Sequence, residues 1–141
     1  MKGLFATRSG FSGLVLRVFL AVVFFPHGAQ KVLGWFGGYG FSGTLNFFTN
    51  TLHVPTALAL LVFAIEFLGP FALLIGFLTR LAALGILFDM VGAVALIHAH
   101  NGFFMNWAGK TPPAEGFEYH LLAIAIALAL VIGGAGEFSV D

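Results

Sequence analysis

Cysteine is absent from this 141-residue chain, and charge is scarce: Lys, Arg, Asp and Glu together make up 9% of it. Without cysteine there is no disulfide, no thiolate metal site, no iron–sulfur ligation and no dithiol chemistry from the chain's own side chains. Any redox role would pass electrons through a bound organic cofactor, a haem or a partner subunit. The shortage of charge is equally restrictive, because soluble domains carry about 25% charged residues. A chain that is 60% hydrophobic, with mean hydropathy +1.02, cannot hide its apolar surface from water at this size. The formal net charge is zero, so there is no basic surface for nucleic acid and no acidic tail for a cationic partner. The expected environment is a lipid bilayer.

Long apolar runs take the place of charge. Four spans are predicted by run length, over residues 12–33, 56–78, 81–100 and 119–136. Strand-type alternation is missing, which leaves helices as the spanning solution. The predicted class is therefore all-α, an integral membrane four-helix bundle forming a single domain over residues 1–141. Between the first two spans, Gly34-Trp35-Phe36-Gly37-Gly38-Tyr39-Gly40 precedes Phe41, Leu45, Phe48 and Leu52 at helical spacing. That segment is predicted to be a short interfacial helix, with Trp35 and Tyr39 at the aromatic belt. The glycine cluster superficially resembles a phosphate loop, but no strand precedes it and no βαβ unit is possible. Thr79-Arg80 alone separates the second and third spans, making them an antiparallel pair. Residues 101–118 mix Phe103, Phe104 and Trp107 with Pro112-Pro113 and are long enough to cover one end.

Lys2 and Arg8 before an apolar stretch have the look of a signal peptide, but Arg17 interrupts it. Phe24-Phe25-Pro26-His27 also offers no small-residue cleavage site, so a retained helix is expected. Lys2, Arg8 and Arg80 fall on one side, with Arg17 expected to snorkel toward them as an interfacial anchor. Lys110 and Lys31 fall on the other. The bias predicts an inner (plasma) membrane protein with both termini cytoplasmic.

Glu66 lies near the middle of the second span, where a carboxylate must be neutralised, paired or wetted. Lys31 is its natural partner. Counting depth along each span brings His27 and Lys31, Asp89, His98 and His100, and Glu118 and His120 to the same half of the bilayer. His27 and Lys31, four residues apart, share a face. Asp89 and His100 are eleven residues apart, about 20° from eclipsed on a regular helix, and are expected to point into one cavity. His98 and His100 differ by about 200° on the same count, which argues against a shared metal ion, and no metal is expected. Pro26, and Gly69-Pro70 beside Glu66, are expected to free backbone carbonyls toward the cavity. Phe47, Phe48, Phe103 and Phe104 near its mouth could stack a flat ring. His53 falls in a loop and is expected to be solvated.

A set of spaced motifs runs through the chain: Arg17, then Pro26-His27-Gly28-Ala29-Gln30-Lys31 running into Gly34–Gly40, and Glu66-x-x-Gly69 with Leu74-x-Gly76-x-x-Thr79-Arg80. It continues through Met90, His98-x-x-Asn101-Gly102-Phe103-Phe104, Gly116-x-Glu118-Tyr119 and Gly134-x-Gly136-x-x-Ser139-x-Asp141. In these motifs the chain resembles the DoxX family of small four-helix membrane proteins. The resemblance implies quinone-linked redox, such as a subunit of a thiosulfate:quinone oxidoreductase or of a stress-related membrane oxidoreductase complex.

The leading expectation is a quinone-binding subunit of a membrane oxidoreductase. In it, His27 and Lys31 hold the quinone oxygens, Phe48 and Phe103 flank the ring, and Glu66, Glu118 and His98 relay protons. Electrons would come from a redox partner. Two other classes remain open: a small-solute or lipid transporter or binding bundle, favouring a homodimer, and a non-catalytic assembly factor. A haem between His27 and His98 is a further, less favoured alternative.

Overall fold

The structure is a computed structural model that describes Gly3, residues 10–112 and residues 114–141. Lys2, Arg8 and Pro113, which enter the readings above, lie outside the described residues. Among the described residues the regular structure is entirely helical. Helix α1 spans Phe11–Val32 and runs through Pro26. A turn of 3-10 helix at Trp35–Gly37 and the short helix α2, Gly40–Asn46, follow it. A π-turn at Phe47–Thr51 extends α2 toward α3, Thr56–Ile75, which runs through Pro70. Helix α4, Thr79–Ala93, continues through a π-turn at Val94–His98 and a 3-10 turn at Ala99–Asn101. Helix α5 spans Glu118–Gly133.

Three of these helical stretches, Phe11–Val32, Thr56–Ile75 and Thr79–Asn101, are long and apolar enough to cross a membrane. The fourth, α5, is apolar but shorter at 16 residues. The span expected over 119–136 stops early because Gly134 and Gly136 adopt positive φ (82° and 74°), which ends a right-handed helix. Residues 134–141 then turn back across the helix ends: Val140 N–H bonds Ile75 O and Asp141 N–H bonds Gly76 O. The Asp141 carboxylate accepts from the N–H groups of Leu78 (2.7 Å) and Thr79 (2.9 Å), capping the start of α4.

Helix α1 packs on α3 and α5, and α4 packs on α3 and α5, which closes a ring. Leu20, Phe24, Leu73, Ile86, Met90 and Leu130 form its buried core, with Ala21, Ala83, Ala123 and Ala127 at the close approaches. Large apolar side chains such as Phe19, Leu68 and Ile132 face outward, as suits a protein surrounded by lipid rather than water. Gly28 sets the α1–α3 distance. A Cβ there would lie 2.7 Å from Phe67 Cα, so no other residue fits without separating the helices.

Arg17 departs from the reading of an interfacial anchor. It is fully buried. Its Nε donates to Ala135 O (3.1 Å), and Nη1 donates to Leu73 O (3.0 Å) and Leu74 O (2.5 Å). Nη2 donates to Glu137 O (2.8 Å) and to Phe138 O. The guanidinium thus ties the last turn of α3 to the C-terminal tail. Helix-terminal carbonyls carry partial negative charge and lack partners of their own, so a five-donor fork satisfies them where a snorkelling side chain would not. Arg80 behaves similarly at the end of α5, donating to Val131 O and to Ile132 O (2.9 Å).

Candidate functional site

The opposite end of the molecule holds a cavity of about 620 Å³. Most of its wall is apolar, with Phe24, Leu58, Leu61, Val62, Phe88 and Leu96 among the contributors. Ionisable side chains reach it from four helices: His27 and Lys31 of α1, Glu66 of α3, Asp89 of α4 with His98 from the following π-turn, and Tyr119 and His120 of α5. Phe47 and Phe48, from the π-turn after α2, complete an aromatic face. Phe48 meets Phe63 edge-on, with ring centroids 5.7 Å apart, which fixes its plane from behind.

The expected ion pair is present. Lys31 Nζ lies 2.5 Å from Glu66 Oε2, with Glu66 buried and Lys31 partly open to the cavity. Gly28, one turn before Lys31, lets α1 approach the Glu66 backbone closely enough for that contact. Asp89, which lines the same cavity, lies within hydrogen-bonding reach of the same carboxyl. Helices α1, α3 and α4 therefore each contribute one charged side chain to a single chain of contacts, Lys31–Glu66–Asp89.

Two π-turns border the cavity, and both alter which residues face it. A π-turn inserts one extra residue, which moves every later side chain by about 100° around the helix axis. On a regular helix Asp89 and His98 would point about 180° apart. The insertion at Val94–His98 breaks that count: His98 lines the cavity and His100 does not. His100 is exposed and does not line the cavity, which corrects the expectation that it shares a cavity with Asp89. His98 Nδ1 sits 2.8 Å from Glu115 O. A carbonyl can only accept, so His98 Nδ1 is the donor in this contact. The His98 and His120 rings lie 4.1 Å apart.

Of the seven residues nominated from sequence, Glu66, His98, His27, Lys31 and Phe48 line this cavity. Glu118 and Phe103 line a neighbouring pocket instead. Glu118 Oε1 accepts from Met105 N–H (3.0 Å) and from Trp107 Nε1, so its carboxylate holds the loop rather than the cavity. Phe103 packs against Phe104 and Phe117, and Phe104 is 72% exposed; neither reaches the cavity. The physical reason is a backbone clasp. Gly116 N–H bonds Phe104 O (3.0 Å), Phe117 N–H bonds Gly102 O (3.1 Å) and Glu118 N–H bonds Phe103 O (2.9 Å). This draws the loop against itself and turns its aromatics outward, leaving Met105 and Glu115 as its cavity residues. His53 is exposed, as expected.

Sequence reasoning undervalued Asp89, Tyr119 and His120. Each has a buried polar atom without a hydrogen-bond partner among the described residues: Asp89 Oδ2, Tyr119 OH and His120 Nδ1. Buried polar atoms are nearly always paired, so three around one cavity mark a place where water or a ligand completes the bonding. The signal was available in the chain, since Asp89 falls in an apolar run and Tyr119-His120 opens another.

Residues 12–99 match the DoxX family. Over 117 residues the chain is 32% identical to "Putative oxidoreductase CatD" of Bacillus subtilis (strain 168), covering 83% of this chain and 76% of that protein. Over 137 residues it is 32% identical to an uncharacterized protein of Haemophilus influenzae, covering 94% of this chain and 83% of the other. No solved structure matches. The family match takes in most of the chain, including Lys31, Glu66, Asp89 and His98, and the chain belongs to the DoxX family.

Proposed function

We propose that this protein is a quinone-binding subunit of a membrane oxidoreductase, set in the inner membrane as a four-span bundle with α2 lying in the interface and both termini cytoplasmic. The observation that carries the reading is the cavity itself: a mostly apolar, aromatic-lined space into which a few polar groups project, three of them with an atom left unpartnered among the described residues. A quinone is a flat apolar ring with carbonyl oxygens, and it takes up electrons and protons there. Ring and cavity match in kind. Phe47 and Phe48 offer a face for stacking. The Lys31 ammonium and the unpartnered Tyr119 hydroxyl supply donors for oxygens, and His27 and His98 stand beside them. Electrons would come from a partner subunit. The printed name of the Bacillus subtilis relative supports an oxidoreductase role.

The test is binding of a short-tailed quinone analogue to the purified protein in lipid nanodiscs. Saturable binding, weakened at least about tenfold (~1.4 kcal/mol) by Glu66→Gln, is the expected result. Absence of binding by the unaltered protein, or equal binding by the variant, removes the reading.

A further inference from the structure

We propose that Lys31, Glu66 and Asp89 form a proton store: one exchangeable proton shared between the two carboxyls, with Asp89 as the group that presents it to the cavity. The inference deepens the quinone reading by naming the proton-holding group of that site. Its physical basis stands apart from any ligand.

Charge counting comes first. Lys31 brings one positive charge and Glu66 and Asp89 two negative ones, so the ionised set carries a surplus negative charge in an apolar interior. Lys31 Nζ contacts Glu66 Oε2 at 2.5 Å, which compensates one carboxylate. Asp89 receives no such contact. It lies within hydrogen-bonding reach of Glu66, and its buried Oδ2 has no donor among the described residues. Two ionised carboxylates are acceptors only and repel at that range. A single proton between them converts the repulsion into a charge-assisted hydrogen bond and brings the trio to neutrality.

The surroundings offer no cheaper answer. Around the pair, α1 contributes Lys31 and His27, α3 contributes Glu66 and α5 contributes Tyr119, while Asp89 is the charged group of α4 there. Lys31 supplies the ammonium among them, and it already faces Glu66. A second, independent feature shows how the store could be refilled. His120 is 6% exposed, with Nδ1 unpartnered among the described residues, and its ring centroid lies 4.1 Å from that of His98, the planes tilted by 35°. His98 is in turn anchored to the loop at Glu115 O. Imidazoles placed this way accept and donate protons between the loop and the cavity.

Infrared spectroscopy of the purified protein in nanodiscs tests the store without any quinone. Difference spectra between unaltered protein and Asp89→Asn, in H₂O and in D₂O, should show a protonated-carboxyl C=O band at neutral pH that shifts on deuteration and is missing from the variant. Glu66→Gln should shift or abolish the same band. Raising the pH on the unaltered protein alone should erase it, which keeps the test valid if a variant fails to fold. No deuterium-sensitive carboxyl band in the unaltered protein, or an identical band in Asp89→Asn, overturns the proposal. If the band behaves as expected but no quinone analogue binds, the store stands and the quinone reading falls. If binding is found and the band is absent, the reverse holds.

Discussion

Arg17 and Lys31 sit fourteen residues apart on α1, within about 40° of the same helix face, and their settings are opposite. Arg17 is sealed: its guanidinium reaches five backbone carbonyls, from α3 and the C-terminal tail. Lys31 has one partner, Glu66, at the edge of a cavity where three other polar atoms have none. A fully satisfied buried charge has no spare bonding capacity, so it can only hold structure. A cluster left incomplete keeps capacity for something that arrives later. The two ends of one helix thus separate a structural use of charge from a site.

The largest effect should come from breaking the sealed end. Arg17→Leu leaves carbonyls of Leu73, Leu74, Ala135, Glu137 and Phe138 facing an apolar side chain. Hydrogen bonds to charged groups contribute about 1.5–3 kcal/mol each, so a net loss of several kcal/mol is expected even after partial relaxation. Thermal unfolding in nanodiscs should show the midpoint falling by at least about 10 °C, or the protein failing to accumulate. Arg17→Lys keeps the charge but not the fork, and should fall between the two. A midpoint unchanged in Arg17→Leu would mean that the tail is held by other contacts.

The open end should respond in a different pattern. Lys31→Met leaves Glu66 buried without its cation, and removing one partner of a buried pair costs about 3–5 kcal/mol. Lys31→Met combined with Glu66→Gln removes both charges and should recover most of that loss. Binding of the quinone analogue should not recover with it. Stability and binding parting company in the double variant is what distinguishes a site from a packing device. If the double variant binds as well as the unaltered protein, the cluster serves only helix packing.

Gly28 links the two behaviours, because it sets the α1–α3 spacing that Lys31–Glu66 depends on. Gly28→Ala should cost about 1–3 kcal/mol through overpacking, and should weaken analogue binding along with stability. A stability loss with intact binding would show that the ion pair tolerates a wider helix separation than its geometry suggests.

How much of this was legible in the chain follows from where the information lies. Apolar run length gave the helices to within a few residues, since burial in lipid acts residue by residue. The last run was overestimated because Gly134 and Gly136 break α5 by backbone conformation, which hydropathy does not register. Depth counting brought His27, Lys31, Glu66 and His98 to one cavity. It failed at His100 because the count assumed a regular helix, and the π-turn at Val94–His98 is a departure set by packing. It failed at Arg17 for a related reason. The carbonyls that capture the guanidinium come from α3 and from a tail more than a hundred residues away, and a sequence carries no mark for a carbonyl acceptor.

The smallest expected effect concerns Glu118, whose nomination as a proton relay rested on depth alone. Its carboxylate accepts from Met105 N–H and Trp107 Nε1, and it faces a pocket next to the cavity rather than the cavity. Glutamine keeps an oxygen that can accept one of those bonds, so Glu118→Gln should cost no more than about 1 kcal/mol. Analogue binding should stay within about twofold, a difference of roughly 0.4 kcal/mol. The infrared carboxyl band assigned to the Glu66–Asp89 pair should be unchanged. Tyr119, the next residue in the chain, lines both spaces together with Met105, so these two side chains border both. Tyr119→Phe combined with Glu118→Gln probes that boundary. If binding drops only in the combined variant, the two spaces exchange water or ligand through Tyr119. If Glu118→Gln alone abolishes binding or removes the band, the proton route starts at the loop carboxylate and the separation of loop from cavity drawn here is wrong.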